Sequence, residues 1–400
     1  MVLKQLLCFI TAIAFLGRGA VNGTSIDTTT GADLNKAKIV TSLWNLDANY
    51  TETAIGVINF TEGLRLTGTG STWVGVQLPI EKQLIFRTAY RPKIRLKNAL
   101  HLGEGTVIYC AQDSEIYSED GEKYVIYLDG NITVSGYNPG DQAYLYLHDV
   151  IVDGMGHSIT LGNDQNSGAM MIGPNVTLRN VTLKNVWWDL NGGTFALSGI
   201  DLPFDENTLT LENVDFQARR GKAVGLLMQG LFTPYAYRIR GNVRFGNFGE
   251  YFLFSSYTGA SQFIIEDNAT LTIDNSSFYV GPAIMDDMSL IQIIFQSNTS
   301  RILLKNSFFG LYPKRMNVVG HWFYPAGSQD LPLTKGTIIA EGDCTLGART
   351  DLQSGNKNAT IYIGSPDTSD NDFNIQVNAG STLNLVSTTT NSLVLFFNVH

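Results

Sequence analysis

Asp286 and Asp287 form the acidic pair in this chain most suggestive of bond cleavage, with Arg238-Ile239-Arg240 before it and Gly320-His321 after it. Hydrolysis of a glycosidic bond needs two carboxylates flanking the bond, one as acid and one as base or nucleophile, and a histidine can move the proton instead. Neighbouring side chains on a strand point to opposite faces, so Asp286 and Asp287 are read first as loop carboxylates and only second as a catalytic pair. Asp367, Asp370 and Asp372 are oxygen ligands in a polar stretch that would suit Ca²⁺, without the glycine and terminal glutamate of an EF-hand loop. No His/Cys cluster has zinc spacing, and no glycine-rich phosphate loop stands out. Trp187-Trp188-Asp189 and His321-Trp322-Phe323-Tyr324 offer flat rings of the kind that lie against sugars. Tyr235 and Tyr237 beside Arg238 and Arg240 form a second, weaker surface of that kind.

The elements that must carry these residues are announced by a short repeat. Val176, Leu178, Asn180, Val181 and Leu183 are followed by Leu209, Leu211, Asn213, Val214 and Phe216; then by Leu271, Ile273, Asn275, Ser276 and Phe278; then by Ile302, Leu304, Asn306, Ser307 and Phe309. The even recurrence of these asparagines along the chain predicts a stacked unit of about 31 residues. Apolar residues at i, i+2, i+5 and i+7 alternate as in a strand, slip by one at the asparagine, and resume. A slip would turn the second strand outward in a flat sheet. If the chain turns a corner there, both strands keep their apolar side chains inward, and asparagine suits the corner because it tolerates left-handed backbone and carries donor and acceptor together. Degenerate copies place Asn98, Asp149 and Asn242 in the same role, giving an expected ladder of Asn98, Asp149, Asn180, Asn213, Asn242, Asn275 and Asn306.

Forty glycines and only 16% charged residues fit an all-β chain with many turns. Lys4 followed by the apolar run Leu6–Leu16 and the small residues Gly17, Gly19 and Ala20 has the layout of a secretory signal peptide, which predicts export. No later stretch is long and apolar enough for a membrane helix. The net charge of −9 becomes more negative once Lys4 and Arg18 leave, arguing against nucleic acid as a partner. Cys110 and Cys344, far apart in the sequence, would sit many coils from one another and could not pair. Ten Asn-x-Ser/Thr sequons occur, among them Asn49, Asn59, Asn131, Asn175, Asn180, Asn268 and Asn275; a eukaryotic source would make some of them glycan acceptors, with Asn180 and Asn275 engaged in the ladder.

The segment Val150-Ile151-Val152-Asp153-Gly154-Met155-Gly156-His157-Ser158-Ile159-Thr160-Leu161 resembles the strand, Asp-Gly-x-Gly-His turn and strand of right-handed parallel β-helix proteins of the pectin-lyase-like superfamily. The Leu-x-Asn-x-x-Phe corners resemble the asparagine ladder of the same family, and the resemblance spans roughly residues 60 to 400. It implies a fold shared by polysaccharide lyases, polygalacturonases, adhesins and phage tailspikes, so it does not choose an activity. Polygalacturonases carry Asn-Thr-Asp, Asp-Asp, Gly-His-Gly and Arg-Ile-Lys in that order. Here the first is absent, the third is incomplete, and the basic element precedes the rest. Asp153 is expected to bond the backbone two residues on, and His157 to be a turn residue.

The sequence therefore predicts an all-β, right-handed parallel β-helix of about 31 residues per coil with an N-terminal cap. Residues 1–19 would be the signal peptide, 20–60 the N-terminal segment and cap, and 61–400 the β-helix of about eleven coils. The leading expectation is an exported, non-catalytic surface or secreted protein that binds a glycan or protein along its lateral face through Trp187, Trp188, Asp189, Trp322 and Tyr324. An alternative is a polysaccharide hydrolase or lyase using Asp286, Asp287 and His321, and a second is a structural protein assembling through its C-terminal edge. No cofactor is expected beyond Ca²⁺ at Asp367, Asp370 and Asp372.

Overall fold

The computed structural model describes residues 43–46, 83–86, 93–96, 99–110, 114–118, 121, 123–136, 144–162, 170–189, 192–193, 195–197, 208–219, 227–230, 236–248, 252–256, 261–282, 291–311, 317–318, 321–322, 329–333, 335–348, 359–363, 372–387 and 392–396. Strands make up nearly all of it, and nearly all pair in parallel, an arrangement consistent with a β-helix or solenoid. Among the described residues no helix is long and apolar enough to cross a membrane. The expected signal peptide lies outside the described residues. So does most of the expected N-terminal segment and cap, residues 20–60, of which only Leu43–Leu46 is seen, as a strand paired in parallel with Lys93–Leu96.

The chain visits three walls in turn. A first wall stacks Leu100–Leu102, Tyr124–Leu128, Val150–Asp153, the start of Val176–Val186, the start of Thr208–Ala218, Ala236–Arg240, Ser261–Ile265 and Ile291–Phe295. A second wall runs from Gln83–Phe86 through Val107–Cys110, Ile132–Gly136, Ser158–Leu161, the second halves of the two long strands, Asn242–Gly246, Thr270–Asp274, Arg301–Lys305 and Lys335–Glu341 to Asp372–Val377. The third wall is two six-stranded sheets, one spanning Leu43–Leu46 to Phe195–Leu197 and the other Leu227–Gly230 to Thr382–Ser387.

Paired residues are not a fixed distance apart in sequence. The offset is short between Ile159 and Leu183 and long between Ile338 and Ile375, in place of one constant repeat length. Pairing fixes only the strands, so connections between walls vary in length without disturbing the stack.

Apolar side chains on both sides of each corner point into one core. Val176, Leu178, Val181 and Leu183 are buried, as are Leu271, Ile273 and Phe278. Aromatic rings stack from coil to coil inside it: Phe216 on Phe245 at 4.6 Å, and Phe278 on Phe309 at 5.6 Å. Each buried ring removes a large apolar area from water, so this column is a main source of stability.

The four strong repeats occupy two different corners. Asn180 and Asn213 turn the chain from the first wall to the second. Asn275 and Asn306 turn it from the second wall to the third, because Leu271 pairs with Val243 and Ser277 with Phe308. Asp149 belongs to the remaining corner, from the third wall to the first. All five have positive φ, between 45° and 55°. The motif encodes a left-handed bend between two inward-facing strands and carries no label for which corner it makes.

Candidate functional site

At the corner between the first two walls, a column of side chains joins successive coils. Asn180 Nδ2 donates to Asp153 Oδ1 at 3.3 Å, and Asn213 Nδ2 donates to Asn180 Oδ1 at 3.2 Å. Gly241 holds the next position, and the main-chain N–H of Asn242 donates to Asn213 Oδ1 at 3.0 Å. The exposed Asn242 side chain takes no part. At the next corner Asn275 donates to Asn247 Oδ1 at 3.0 Å, and at the third Asn175 donates to Asp149 Oδ1 at 3.0 Å. The expected single ladder is thus three shorter columns, with Asp153, Asn175 and Asn247 as members missed in the sequence. Their short polar side chains were visible, but without the strand pairing they had no register. Asn98 lies outside the described residues.

Asp153 does more than end a ladder. Its Oδ1 accepts from Met155 N at 3.0 Å, the expected turn bond, and its Oδ2 accepts from Arg179 Nε at 2.8 Å. Arg179 begins an outward-facing series on the first wall, in which strand pairing sets Asp153, Arg179, Glu212 and Arg240 one coil apart. Glu266 closes it, accepting from Arg240 at 2.6 Å and Arg238 at 3.3 Å. On the second wall Arg244 bridges Asp215 at 2.8 Å and Asp274 at 2.6 Å, and Lys305 meets Glu341 at 3.4 Å. Bonding to Glu266 raises Arg240 above the usual guanidinium range. The lateral face is therefore a polar ribbon in which Arg179, Arg240, Arg244 and Lys305 pair with carboxylates of neighbouring coils, while Glu212 joins the series by strand register.

That pairing changes the meaning of the Tyr-Arg surface. Arg238 and Arg240 are engaged by Glu266, and Tyr237 points the other way, fully buried in the core beside Phe263. Tyr237 and Ile239 are the inward pair of their strand, so tyrosine stands where the pattern demands an apolar residue. Trp187 is also buried, with Arg219 set 5.7 Å from its ring. Trp188-Asp189 forms a two-residue strand antiparallel to Gly192-Gly193, and His321-Trp322 forms another against Asn317-Val318. Asp286, Asp287, Tyr324, Asp367 and Asp370 lie outside the described residues, and Asp372 opens the strand Asp372–Val377. Among the described residues no group of three His, Cys, Asp or Glu side chains is arranged to hold a metal ion.

One cluster on the third wall could move a proton, and it was missed in the sequence. His148 Nδ1 lies 2.9 Å from Asp149 Oδ2, and its Nε2 lies 4.0 Å from Glu115 Oε2. Tyr117, paired with His148 across one coil, stacks on the imidazole at 4.8 Å, and Tyr146 tilts against it at 5.2 Å. Burial pulls His148 down, but hydrogen bonds and charge from Asp149 and Glu115 outweigh it and hold the imidazole above its usual value. Burial likewise pushes Asp149 up, and its bonds to His148 and Asn175 reverse that and leave it low. His148 and Glu115 are distant in sequence, and only the pairing of Ser114–Ser118 with Leu145–His148 joins them. No family model, no curated protein and no solved structure matches this chain.

Proposed function

We propose that this chain is an exported, non-catalytic right-handed parallel β-helix of the pectin-lyase-like kind, which holds a glycan or a protein along its lateral face. The observation that carries this reading is the ribbon of Arg179, Glu212, Arg240 and Glu266, which places charged groups once per coil and is anchored at one end by the buried Asp153. A linear ligand with its own short repeat can meet such rungs in register, and the paired charges hold them in place beforehand. The test is retention of the full chain on immobilised polysaccharides and on cell-surface extracts, alongside assay of the same polysaccharides for new chain ends with and without Ca²⁺. Retention without cleavage supports the reading, whereas new chain ends overturn it.

The cluster of His148, Glu115 and Asp149 favours a second reading, a polysaccharide hydrolase or lyase. An imidazole whose pKa is raised by neighbouring carboxylates suits a general acid, and Asp286, Asp287 and His321 remain further candidates for this chemistry. A third reading, assembly through the C-terminal edge, draws on Val377 and Leu385, both exposed and both on strands that each pair with one neighbour among the described residues.

A further inference from the structure

The corner between the first and second walls changes character along the stack. At Asn180 and Asn213 it is a single left-handed residue with its carboxamide bonded to the neighbouring coil. Two coils beyond Asn213 it widens into the turn Glu266–Ala269, closed by Ala269 N donating to Glu266 O at 3.1 Å. One coil further, Ser297–Ser300 makes the same kind of turn, with Ser300 N donating to Ser297 O at 3.2 Å. The two turns are tied together, since Asn268 N donates to Thr299 Oγ1 at 3.0 Å. Asn268 and Asn298 sit at their tips, both exposed, and neither carboxamide makes a hydrogen bond among the described residues.

Each of these asparagines opens an Asn-x-Ser/Thr sequon, Asn268-Ala269-Thr270 and Asn298-Thr299-Ser300. From this contrast we infer that the turn pair carrying Asn268 and Asn298 is the site of N-linked glycosylation on this corner, and that the ladder sequons are excluded from it. The inference rests on the reading that the chain is exported. In the transfer step Asn Nδ2 bonds to the anomeric carbon of a lipid-pyrophosphate-linked oligosaccharide. That carbon's bond to the phosphate oxygen breaks, and the amide proton leaves with the lipid pyrophosphate.

Among the described residues the other sequon amides are in use. Asn180 lies between its two bonded neighbours in coils about 4.8 Å apart, too close to admit a sugar. Asn175 and Asn275 donate to Asp149 and Asn247, and Asn131 is held by Glu104 and Ser158. A sugar on these amides would have to displace a bond between coils, whereas one on Asn268 or Asn298 projects into solvent.

The experiment is secretion of the full chain from a eukaryotic host, once with its own residues 1–19 leading and once behind a host leader. Glycopeptides of the secreted, folded product are then mapped by mass spectrometry. The expected result is glycan on Asn268, Asn298 or both, none on Asn175, Asn180 or Asn275, and a mobility shift reduced in the Asn268→Gln, Asn298→Gln double variant. Secreted protein bare at both turns overturns the inference, as does equal occupancy at Asn180 or Asn275. Glycosylation behind the host leader with no secretion from its own leader would overturn export, and with it modification of the native chain, while showing that the two turns accept glycan.

Discussion

Gly241 stands one coil beyond Asn213 at the same corner, where a Cβ would overlap the Asn213 amide oxygen. The glycine leaves that oxygen open to the N–H of Asn242. Gly342 and Asn306 repeat the arrangement at a different corner, with Asp343 N donating to Asn306 Oδ1 at 3.1 Å. Two of the asparagine columns thus end on a glycine, whose φ is 56° at Gly241 and 75° at Gly342.

This relationship predicts a coupled pair. Gly241→Ala should cost about 2 kcal/mol, from left-handed strain and from displacement of the Asn213 amide. Asn213→Gly should lose two hydrogen bonds of roughly 0.5–1.5 kcal/mol each and regain part of that by relieving its own positive φ. With the amide gone, the alanine has nothing to displace, so the double variant should be more stable than the summed singles by about 1 kcal/mol. Urea unfolding of the four proteins measures the coupling, and strict additivity would refute it.

How far the fold was legible follows from the same corner. The inward pairs Val176/Leu178 and Val181/Leu183 could be read directly, because alternation and its slip at Asn180 are local signals. The assignment of Asn275 to another corner from Asn213 could not, since the two bends have identical local chemistry and differ only in which strands they pair with. The stretch between them looks like two whole repeat units, yet it spans two coils and one step from corner to corner. Site residues fared similarly. Tyr237 and Arg238 read as one surface, although alternation sends the first inward and the second out. His148 and Glu115 carry no shared motif at all, and their meeting depends on register.

A column of hydroxyls behind the second corner yields a second prediction. Ser276 Oγ donates to Asp274 O and Phe245 O, and Ser307 Oγ to Lys305 O and Ile273 O. One coil on, the buried thiol of Cys344 takes the same place, 3.4 Å from Leu304 O and 3.3 Å from Glu341 O. Cys344→Ser should therefore be tolerated within about 1 kcal/mol, since a hydroxyl fits these partners twice already. Ser307→Ala should cost about 1–3 kcal/mol, because it also strands Ser276 N, which donates to Ser307 Oγ at 3.1 Å. Thermal or urea denaturation of the two variants decides it, and the reverse order would show that the thiol has a different role.

Arg244 predicts a dependence on salt. It bridges carboxylates in the coils on either side, and its loss would leave Asp215 and Asp274 facing the same gap. The three side chains are about one-third exposed, so Arg244→Met should cost no more than about 1 kcal/mol at low salt, with the difference from the parent shrinking as salt is added. Arg244→Lys should not restore it, since one ammonium cannot reproduce two directed guanidinium bonds. Unfolding midpoints at low and high ionic strength test both statements; a variant penalty unchanged by salt would assign the cost to lost packing.

His148 sets a pH window whose sign follows from its environment. Asp149 and Glu115 raise its folded value above the unfolded one of about 6.5, so the histidine adds stability in full below that pH. The contribution is lost as pH rises through the folded value, where the imidazole sheds its proton and leaves the buried Glu115 without that charge. Asp149, held low, adds stability above its unfolded value of about 3.9 and gives it up as the solution turns acid. The cluster should therefore stabilise the third wall most between those limits. Replacing His148 by Gln keeps a hydrogen-bonding side chain but removes the titrating charge. The parent's advantage over His148→Gln should be greatest below about pH 6.5 and should fall as pH rises above it. If catalysis is found as well, a pH–rate profile whose alkaline limb survives His148→Gln would exclude His148 as the general acid while leaving its structural role intact.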